Sequence, residues 1–528
     1  MLSRSAIPRS PAAVLALTAL LAVWADLSPI HGFHNSDSLI PILLSLDRWT
    51  PFYWEQNRFG MIVPLLALSV RDPFANLLVQ GAMRLFALFL SFFLLARTVV
   101  RRPWWPAAGA LTLGFFLAGK DLAQHNFQQM QPYFQAISLA LGGVLLLEGE
   151  RKRKVAAYAL WALAFWVAPV ILFWLVPLLW LRRVLGLEPG SGPGFWPRRR
   201  DLRHDPALLP FAAAGILFAV TLLISRFSPY GEATNLGAAP PAVWPHAWMA
   251  LARRVVESLG PGLLVGICLL LLASLPHPRP LSRKRERGAK RRHSLLFTPL
   301  PLAGEGPGVR ASALCLLGTA AAELLILGTT GWVYQNGFRS RFLAMTLLAT
   351  ATAGPVLLLG LLLEGRPERW GKVANALALA ALLPLAFLRY GPPSPAAAHA
   401  ALGAGPGAED GRKIVADGCT HVLGDYWRVW PAVFQARVML RDRGEDRKVW
   451  GIAFRSTPTW DLWRRLDWRR ARIAVLGPPQ QGEGVRAFYQ IPPFGAPDGP
   501  VRCATGRPMV SFRGFRPAGV LPEEPETP

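Results

Sequence analysis

The feature that most constrains this chain is a series of apolar runs, each long enough to cross a lipid bilayer, between Ala12 and about Leu388. Crossing the bilayer takes about 20 helical residues, and backbone groups inside it must pair within their own segment. The 528 residues are 52% hydrophobic and only 17% charged, which leaves enough apolar sequence for many crossings. The sequence therefore predicts a mostly α, polytopic helical membrane protein. We expect about eleven spans, at residues 12–30, 74–97, 104–119, 134–148, 155–168, 169–182, 207–225, 261–276, 311–329, 343–363 and 373–389.

The fifth and sixth spans come from one apolar stretch, AAYALWALAFWVAPVILFWLVPLLWL, which has basic residues at both ends. Basic loops favour the cytoplasmic side, so a stretch with basic residues at both ends cannot cross once and satisfy that preference. The sequence predicts a helical hairpin that is broken near Pro169. The alternative is a single span, which would invert every later segment.

The net charge of +25 comes mainly from Lys and Arg in short loops between the apolar runs. This bias is typical of the cytoplasmic loops of membrane proteins and sets their orientation. It argues for membrane lipids as partners and against nucleic acid. We expect a multi-pass protein of the cell (inner) membrane with a cytoplasmic N-terminus. The segments expected outside are residues 31–73, 120–133, 226–261, 331–342 and everything after Arg389.

Residues 276–311 differ in composition from the rest of the predicted transmembrane domain, which we place at residues 1–390. The segment is strongly basic at its start, and its two ends can be encoded by opposite strands of one DNA inverted repeat. We interpret it as a tolerated insertion in a cytoplasmic loop. The alternative is a site for anionic lipid headgroups.

The tail predicts a small extracytoplasmic α/β domain at residues 411–528, which follows a linker at residues 391–410. Segments typical of strands, in CTHVLGDYW, RKVWGIAF and ARIAVLG, alternate with helical segments. Such alternation favours an α/β layer. Cys419 and Cys503 both lie in this tail, and outside the cytoplasm they can form a disulfide.

The expected first outer loop, residues 31–73, holds the best candidate for catalysis. Ser36 is expected to cap a helix that runs from Asp37 to about Arg48. One interpretation of Asp37 is that it only complements the helix dipole, an effect of about 0.3–1 kcal/mol. The other is that Asp37, beside His34, is a general base that takes a proton from a hydroxyl group. The sequence leaves both interpretations open.

Two further polar sets are candidates for binding. His125, Gln128 and Gln131 offer groups suited to sugar hydroxyls, and the alternative is a plain polar turn. Arg339 and Arg341 directly precede a predicted span, and paired guanidiniums match a phosphate or pyrophosphate. Contact with lipid headgroups is the alternative for these arginines.

Glu323 is an acidic residue inside a predicted span. Ionisable residues within the membrane are rare and are functional by default. We expect Glu323 to act either as a proton relay or as a polar contact between helices. No cluster of His and Cys residues indicates a metal site or another resident cofactor.

Together these landmarks resemble the GT-C superfamily of membrane glycosyltransferases, which use polyprenyl-phosphate-linked sugars as donors. Within this superfamily the chain is most similar in type to the protein mannosyltransferases and aminoarabinose transferases. The resemblance covers about Ala12 to Leu388. Its motifs are NSDSL, which contains Asp37, then RFG from Arg58 to Gly60, and RSRFL from Arg339 to Leu343.

The resemblance implies an inverting transfer of a sugar to an unknown envelope glycan, lipid or protein on the outer face. Asp37 would be the catalytic base, with Asp47 as second choice, and Arg341 would contact the donor phosphate. Arg58 is a further candidate for that contact. Ser38 follows Asp37 where many family members have a second acid, so a two-acid site and any need for a divalent metal stay open.

A transporter or flippase for a lipid-linked or anionic substrate is the rival class. It would use Glu323 and the arginines for binding, without chemistry. The sequence shows no internal repeat, and many transporter folds have one. A catalytically inactive member of the glycosyltransferase family is a third interpretation.

Overall fold

The computed structural model describes residues 10–47, 49–52, 60–118, 132–187, 208–227, 237–273, 308–335, 340–363, 365–453, 472–476, 502–504 and 507–513. This part of the chain is mostly helical, as predicted. The helices before the tail are α1 (Ser10–Asp26), α2 (Ser36–Leu46), α3 (Ile62–Leu66), α4 (Pro73–Val99), α5 (Trp105–Ala118), α6 (Tyr133–Leu146), α7 (Arg151–Val167), α8 (Leu172–Val184), α9 (Leu209–Ser225), α10 (Trp244–Leu259), α11 (Pro261–Ala273), α12 (Val309–Gly328), α13 (Gly331–Gln335), α14 (Ala344–Leu363) and α15 (Glu368–Tyr390).

Four of the described helices, α4, α12, α14 and α15, are long and apolar enough to cross a membrane. The number is five if the segment that contains α10 and α11, which is bent by 93°, counts as one span. Helices α1, α5, α6 and α9 are apolar but shorter. Large apolar side chains also point outward from these helices, among them Leu223, Leu272 and Leu377. Length, composition and this apolar surface indicate a membrane protein.

Helix α4 is the longest helix and defines the two ends of the bundle. Ser45 of α2 donates a hydrogen bond of 2.9 Å to Oδ1 of Asn76 in the first turn of α4. Helix α2 runs antiparallel to α4, because Arg84 of α4 donates to the carbonyl of Ser38 at the start of α2. We call the side of the bundle where α2 lies along α4 the Asp37 end. At the other end of α4, Ser312 in the first turn of α12 donates to the carbonyl of Val99 at 2.8 Å. Helix α12 therefore runs back toward the Asp37 end.

The second end of the bundle holds Glu148, and we call it the Glu148 end. Arg101, which follows α4, lies 3.8 Å from Glu148. Asn375 near the start of α15 donates to the carbonyl of Pro103 at 2.8 Å. Trp24 in α1 donates to the carbonyl of Gly391, just after α15, at 2.8 Å. Helix α15 therefore runs from the Glu148 end back to the Asp37 end.

The predicted break near Pro169 is present. Helix α7 ends at Val167, a 3-10 turn covers Pro169–Ile171, and α8 begins at Leu172. Helix α7 rises about 25 Å over its length. Arg182, near the end of α8, nevertheless pairs with Glu148, which lies just before the start of α7. The chain therefore reverses at Pro169, as the basic residues at both ends of the stretch predict.

The segment predicted as a linker, residues 391–410, contains a helix. Helix α16 (Pro395–Gly403) occupies much of it, and the Ser394 side chain accepts a hydrogen bond from its first turn. The backbone N–H of Ser394 also donates to the carbonyl of Leu27 at 2.7 Å. Helix α16 packs against the 3-10 helix Pro29–Phe33. The alanines that suggested a linker are also the best helix formers.

The rest of the tail forms an α/β layer, with α17 (Ala408–Ala416) and α18 (Tyr426–Asp442) beside a five-stranded sheet. The strands are β1 (His421–Gly424), β2 (Trp450–Ala453), β3 (Arg472–Leu476), β4 (Arg502–Ala504) and β5 (Arg507–Arg513). The sheet order is β2-β1-β3-β5-β4; β1 is parallel to β2 and β3, and β5 is antiparallel to β3 and β4. The first three strands lie where the sequence predicts them.

The described part of the tail shares its hydrophobic core with the first loop. Val429, Val433 and Phe434 of α18 share one hydrophobic cluster with Leu39 and Leu43 of α2. The first loop and the tail therefore fold against each other at the Asp37 end. The predicted domain boundary at residue 411 stays a prediction. Most of the basic segment 276–311 lies outside the described residues, which resume with Gly308.

Candidate functional site at the Asp37 end

Asp37 lies in the first turn of α2, as predicted, but the cap is one residue earlier than expected. The side chain of Asn35, not Ser36, accepts a hydrogen bond from the backbone N–H of Ser38 at 3.2 Å. The hydroxyl of Ser38 in turn accepts from the backbone N–H of Asn35 at 2.9 Å. This reciprocal capping box fixes the start of α2. It also fixes where the Asp37 side chain leaves the helix.

The tail covers Asp37. The hydroxyl of Tyr426, at the start of α18, donates a hydrogen bond of 2.7 Å to Oδ1 of Asp37. Ser36 donates to the backbone carbonyl of the same tyrosine at 2.6 Å. Only 7% of Asp37 is exposed. The carboxylate is therefore oriented by two parts of the chain that lie 389 residues apart.

A chain of buried polar groups lies directly before α2. Nε2 of His31 lies 2.6 Å from the carbonyl oxygen of Asp26, which can only accept, so this nitrogen carries the proton. Nδ1 of a neutral His31 then accepts from Nε2 of His34 at 2.7 Å. The remaining nitrogen of His34 faces the hydroxyl of Ser38 at 3.3 Å. The arrangement is satisfied with both histidines neutral.

Burial lowers the pKa of His31 from 6.5 to about 4. Burial, and then the nearby charges of His31 and Arg84, hold the pKa of His34 well below its usual value. The unfolded chain binds these protons near pH 6.5, whereas the folded chain does not until the pH is much lower. The contribution of these two histidines to the free energy of unfolding therefore falls as the pH drops from about 6.5 toward 4.

We expect His31 alone to account for a loss of about 2–4 kcal/mol across this pH range, since each pKa unit corresponds to about 1.4 kcal/mol. Thermal unfolding of the purified wild type and of the His31→Gln variant at pH 7 and pH 4.5 measures the loss that His31 causes. His31→Gln removes one titrating group, so its stability should depend less steeply on pH than that of the wild type. Equal pH dependence in the two proteins would show that His31 does not titrate in this way.

Helix α4 contributes a buried guanidinium to the same region. Nη1 of Arg84 donates to the carbonyl of Ser38 at 3.4 Å, and Nη2 donates to Oε1 of Gln80 at 3.1 Å. Gln80 also donates to the hydroxyl of Ser45 at 2.9 Å. These contacts hold α2 against α4. The positive charge of Arg84 thus lies beside the backbone of Ser38, the residue that follows Asp37.

Asp47, the second-choice catalytic acid, lies at the opposite end of α2. The ten intervening residue steps correspond to about 15 Å along the helix axis. Its Oδ1 pairs with Nη1 of Arg437 from α18 at 2.7 Å, and both side chains are buried. Asp37 and Asp47 therefore do not form a two-carboxylate site. Asp47 holds the tail against the first loop instead.

Glu323 forms a polar contact between helices, which is one of its two predicted roles. The hydroxyl of Thr346 in α14 donates to Oε2 of Glu323 in α12 at 2.6 Å. Both residues are buried. Glu323 lies five residues before the end of α12, about 7.5 Å from the Asp37 end of that helix. This position ties the two helices together near that end.

Arg341 lies in the 3-10 turn Ser340–Leu343, which leads into α14. Gly360, near the far end of α14, packs closely against the side chain of Val309 at the start of α12, with no room for a Cβ on Gly360. Since Val309 is at the Glu148 end, α14 starts at the Asp37 end. The backbone of Arg341 is therefore at the same end of the bundle as Asp37.

The other predicted binding residues lie outside the part of the chain that the structure describes. They are Arg58, His125, Gln128, Gln131 and Arg339. Cys419 is fully buried between α17 and β1, and Cys503 is on β4, where only the backbone is described. The disulfide between them stays a prediction. Among the described residues, no group of three or more His, Cys, Asp or Glu side chains is placed to hold a metal ion.

Three residues of the site were not predicted from the sequence: His31, Arg84 and Tyr426. Arg84 had a signal, because it lies inside an apolar run where charged residues are rare. For His31 and Tyr426 the sequence holds no such signal, since each gains its role from a tertiary contact. Tyr426 is the most informative of the three, because it brings the tail into direct contact with the candidate base.

The arrangement suits proton transfer to a carboxylate. Tyr426 orients the carboxyl group of Asp37, and the neighbouring tail restricts access of water to it. A positioned carboxylate of this kind can accept the proton of a hydroxyl nucleophile. Comparisons of this chain with protein-family models, with curated proteins and with solved structures find no match.

Proposed function

We propose that this protein is an integral membrane glycosyltransferase that moves a sugar from a polyprenyl-phosphate donor to an acceptor at the Asp37 end. The observation that carries the proposal is the placement of Asp37, the base that the GT-C resemblance implies. It is buried where the helix bundle meets the tail, and its carboxylate is oriented by Tyr426. The turn that contains Arg341 begins a helix at the same end.

The proposal includes a topology of eleven spans with the Asp37 end outside the cytoplasm. Helices α1, α4, α5, α6, α7, α8, α9, α11, α12, α14 and α15 would cross in alternating directions. The density of Lys and Arg supports this orientation, because basic loops favour the cytoplasmic side. The basic residues that flank helices at the Glu148 end include Arg101, Arg102, Arg151, Lys152, Arg153, Lys154, Arg182, Arg183, Arg366 and Arg369.

In the proposed reaction the hydroxyl oxygen of the acceptor attacks the anomeric carbon of the donor sugar. The bond between that carbon and the phosphate oxygen breaks, and polyprenyl phosphate leaves with the electron pair. Asp37 takes the proton of the acceptor hydroxyl, and Arg341 stabilises the departing phosphate. A single displacement of this kind inverts the configuration at the anomeric carbon.

The tail has a specific part in this proposal. Tyr426 donates to one oxygen of Asp37 and fixes the orientation of the carboxyl group. Helix α18 also covers the first loop, so an acceptor reaches Asp37 along the edge between the loop and the tail. The tail thereby positions the base and shapes the acceptor side of the site.

Purified protein in liposomes, supplied with radiolabelled polyprenyl-phosphate hexoses and pentoses and an envelope extract as acceptor, tests the function. We expect label to leave the polyprenyl carrier, either onto an acceptor or, slowly, into water. Movement of intact labelled lipid between leaflets without cleavage would instead indicate a flippase. Neither cleavage nor movement with any donor would overturn the proposal and favour an inactive protein.

A further inference from the structure

Helix α10 changes direction sharply before the chain enters α11. The two segments meet at Gly260, which has a left-handed φ of 77°, and they are bent by 93°. Helix α11 is apolar throughout, PGLLVGICLLLLA, as expected of a segment in lipid. If α11 lies along the bilayer normal, the bend places α10 close to the plane of the membrane.

Contacts place α10 at the Asp37 end of the bundle. The indole N–H of Trp248 donates to the carbonyl of Leu325, one turn before the end of α12, at 2.9 Å. Helix α10 also packs against the turn Ser340–Leu343, which contains Arg341. The helix therefore lies where the spans end, beside the start of α14.

The surface of α10 divides into three faces. One face packs on the bundle and is buried: Ala247, Leu251, Val255 and Leu259. The exposed remainder has an apolar flank and a charged flank, whose centres are about 100° apart around the helix axis at 100° per residue. The apolar flank consists of Met249, Ala252 and Val256, and the charged flank of His246, Arg253, Arg254 and Glu257.

The apolar flank is well exposed in the folded chain: 65% of Met249 and 40% of Val256 is accessible. On the charged flank, Nε of Arg253 lies 2.8 Å and Nη1 of Arg254 lies 2.9 Å from the carboxylate of Glu257. A helix with one apolar and one charged exposed flank fits the boundary between lipid and water. Leu325 of α12, whose carbonyl accepts from Trp248, is itself 51% exposed.

We infer that α10 lies in the bilayer interface, with Met249 and Val256 in contact with acyl chains and Arg253 and Glu257 toward water and headgroups. The partner of this surface is the lipid bilayer. Because α10 packs on the turn that contains Arg341, the contact also sets the height of that turn at the membrane surface. The inference does not depend on the proposed glycosyltransferase activity.

Wild-type protein in vesicles that contain a phospholipid with a photoreactive diazirine in its acyl chain tests the inference. After irradiation and digestion, mass spectrometry should locate label on Met249 or Val256. Leu272 of α11 is the positive control, and the exposed tail residue Trp427 is the negative control. Label on Leu272 without label on α10 would overturn the inference.

A matched pair of variants tests the water side in the same vesicles. Val256→Cys and Arg253→Cys lie three residues apart on one helix, so folding defects should affect both alike. We expect a water-soluble maleimide to react at least about tenfold faster at position 253, because the reactive thiolate needs water. Site-resolved mass spectrometry separates these thiols from the native cysteines. Equal rates at both positions would mean that protein or water, not lipid, lies against the apolar flank.

Discussion

Asp37→Asn is expected to lower the rate of sugar transfer by about 10²–10⁴-fold per folded molecule, the usual contribution of a general base. Asparagine keeps the size of the side chain, and its amide oxygen can still accept from Tyr426. The variant therefore removes the proton acceptor while it preserves the contact with α18. Release of label from polyprenyl-phosphate sugar measures the rate, and thermal unfolding measures the folded fraction.

Tyr426→Phe is the matched control for this prediction. It removes the hydrogen bond of 2.7 Å but leaves the Asp37 carboxylate in place. We expect it to lose no more than about tenfold in rate, because the base is retained and only its orientation is relaxed. If Tyr426→Phe loses as much activity as Asp37→Asn, the hydroxyl of Tyr426 is as necessary as the carboxylate, and a base at Asp37 alone does not account for the rate. If Asp37→Asn keeps full activity, Asp37 is not the base.

The helices could be predicted from the sequence because each one is indicated by residues that are close together in the chain. The apolar runs that predict α4, α12, α14 and α15 are each complete within about 20 residues. The reversal at Pro169 followed from charge at both ends of one short stretch. In each case the conformation of a segment depends on whether it lies in lipid or in water. The amino-acid composition of the segment indicates which of the two surrounds it.

The candidate site could be predicted only in part, because the residues that contact one another there are far apart in the sequence. The position of Asp37 at a helix start follows from neighbouring residues, yet its contact with Tyr426 spans 389 residues. The same holds for Asp47, whose buried partner Arg437 lies 390 residues away. Sequence alone gave Asp37 and Asp47 the same chemistry. The structure distinguishes them by their partners: Asp37 accepts a hydrogen bond from Tyr426, and Asp47 forms an ion pair with Arg437.

The helix within the predicted linker was missed for a different physical reason. The segment from Gly391 to Asp410 is rich in Gly, Pro and Ala, a composition shared by flexible connections and by short capped helices. Ser394 and Pro395 are a helix start, since Ser caps the N-terminus and Pro suits the first turn. What stabilises so short a helix is its packing on the turn Pro29–Phe33, which lies far away in sequence.

The ion pair between Arg437 and Asp47 makes a strong prediction about how the tail is held. Nη1 of Arg437 lies 2.7 Å from Oδ1 of Asp47, and Nε donates to the carbonyl of Val449 at 2.8 Å. The guanidinium also lies 5.4 Å from the centre of the Trp450 ring. Arg437→Ala leaves the Asp47 carboxylate buried without its counter-charge. Breaking a buried pair in this way costs about 3–5 kcal/mol.

Arg441→Ala is the matched control, one helical turn further along α18. Arg441 pairs with Asp72 at 3.2 Å, but 66% of its side chain is exposed to solvent. An exposed pair contributes about 0–1 kcal/mol, so this variant should unfold nearly as the wild type does. Thermal unfolding of both variants in the same detergent gives the comparison. Limited proteolysis should also release the tail faster from Arg437→Ala, because α18 loses its buried ion pair with Asp47. Similar stability losses in the two variants would contradict the prediction, since they would show that burial adds nothing to the pair at Asp47.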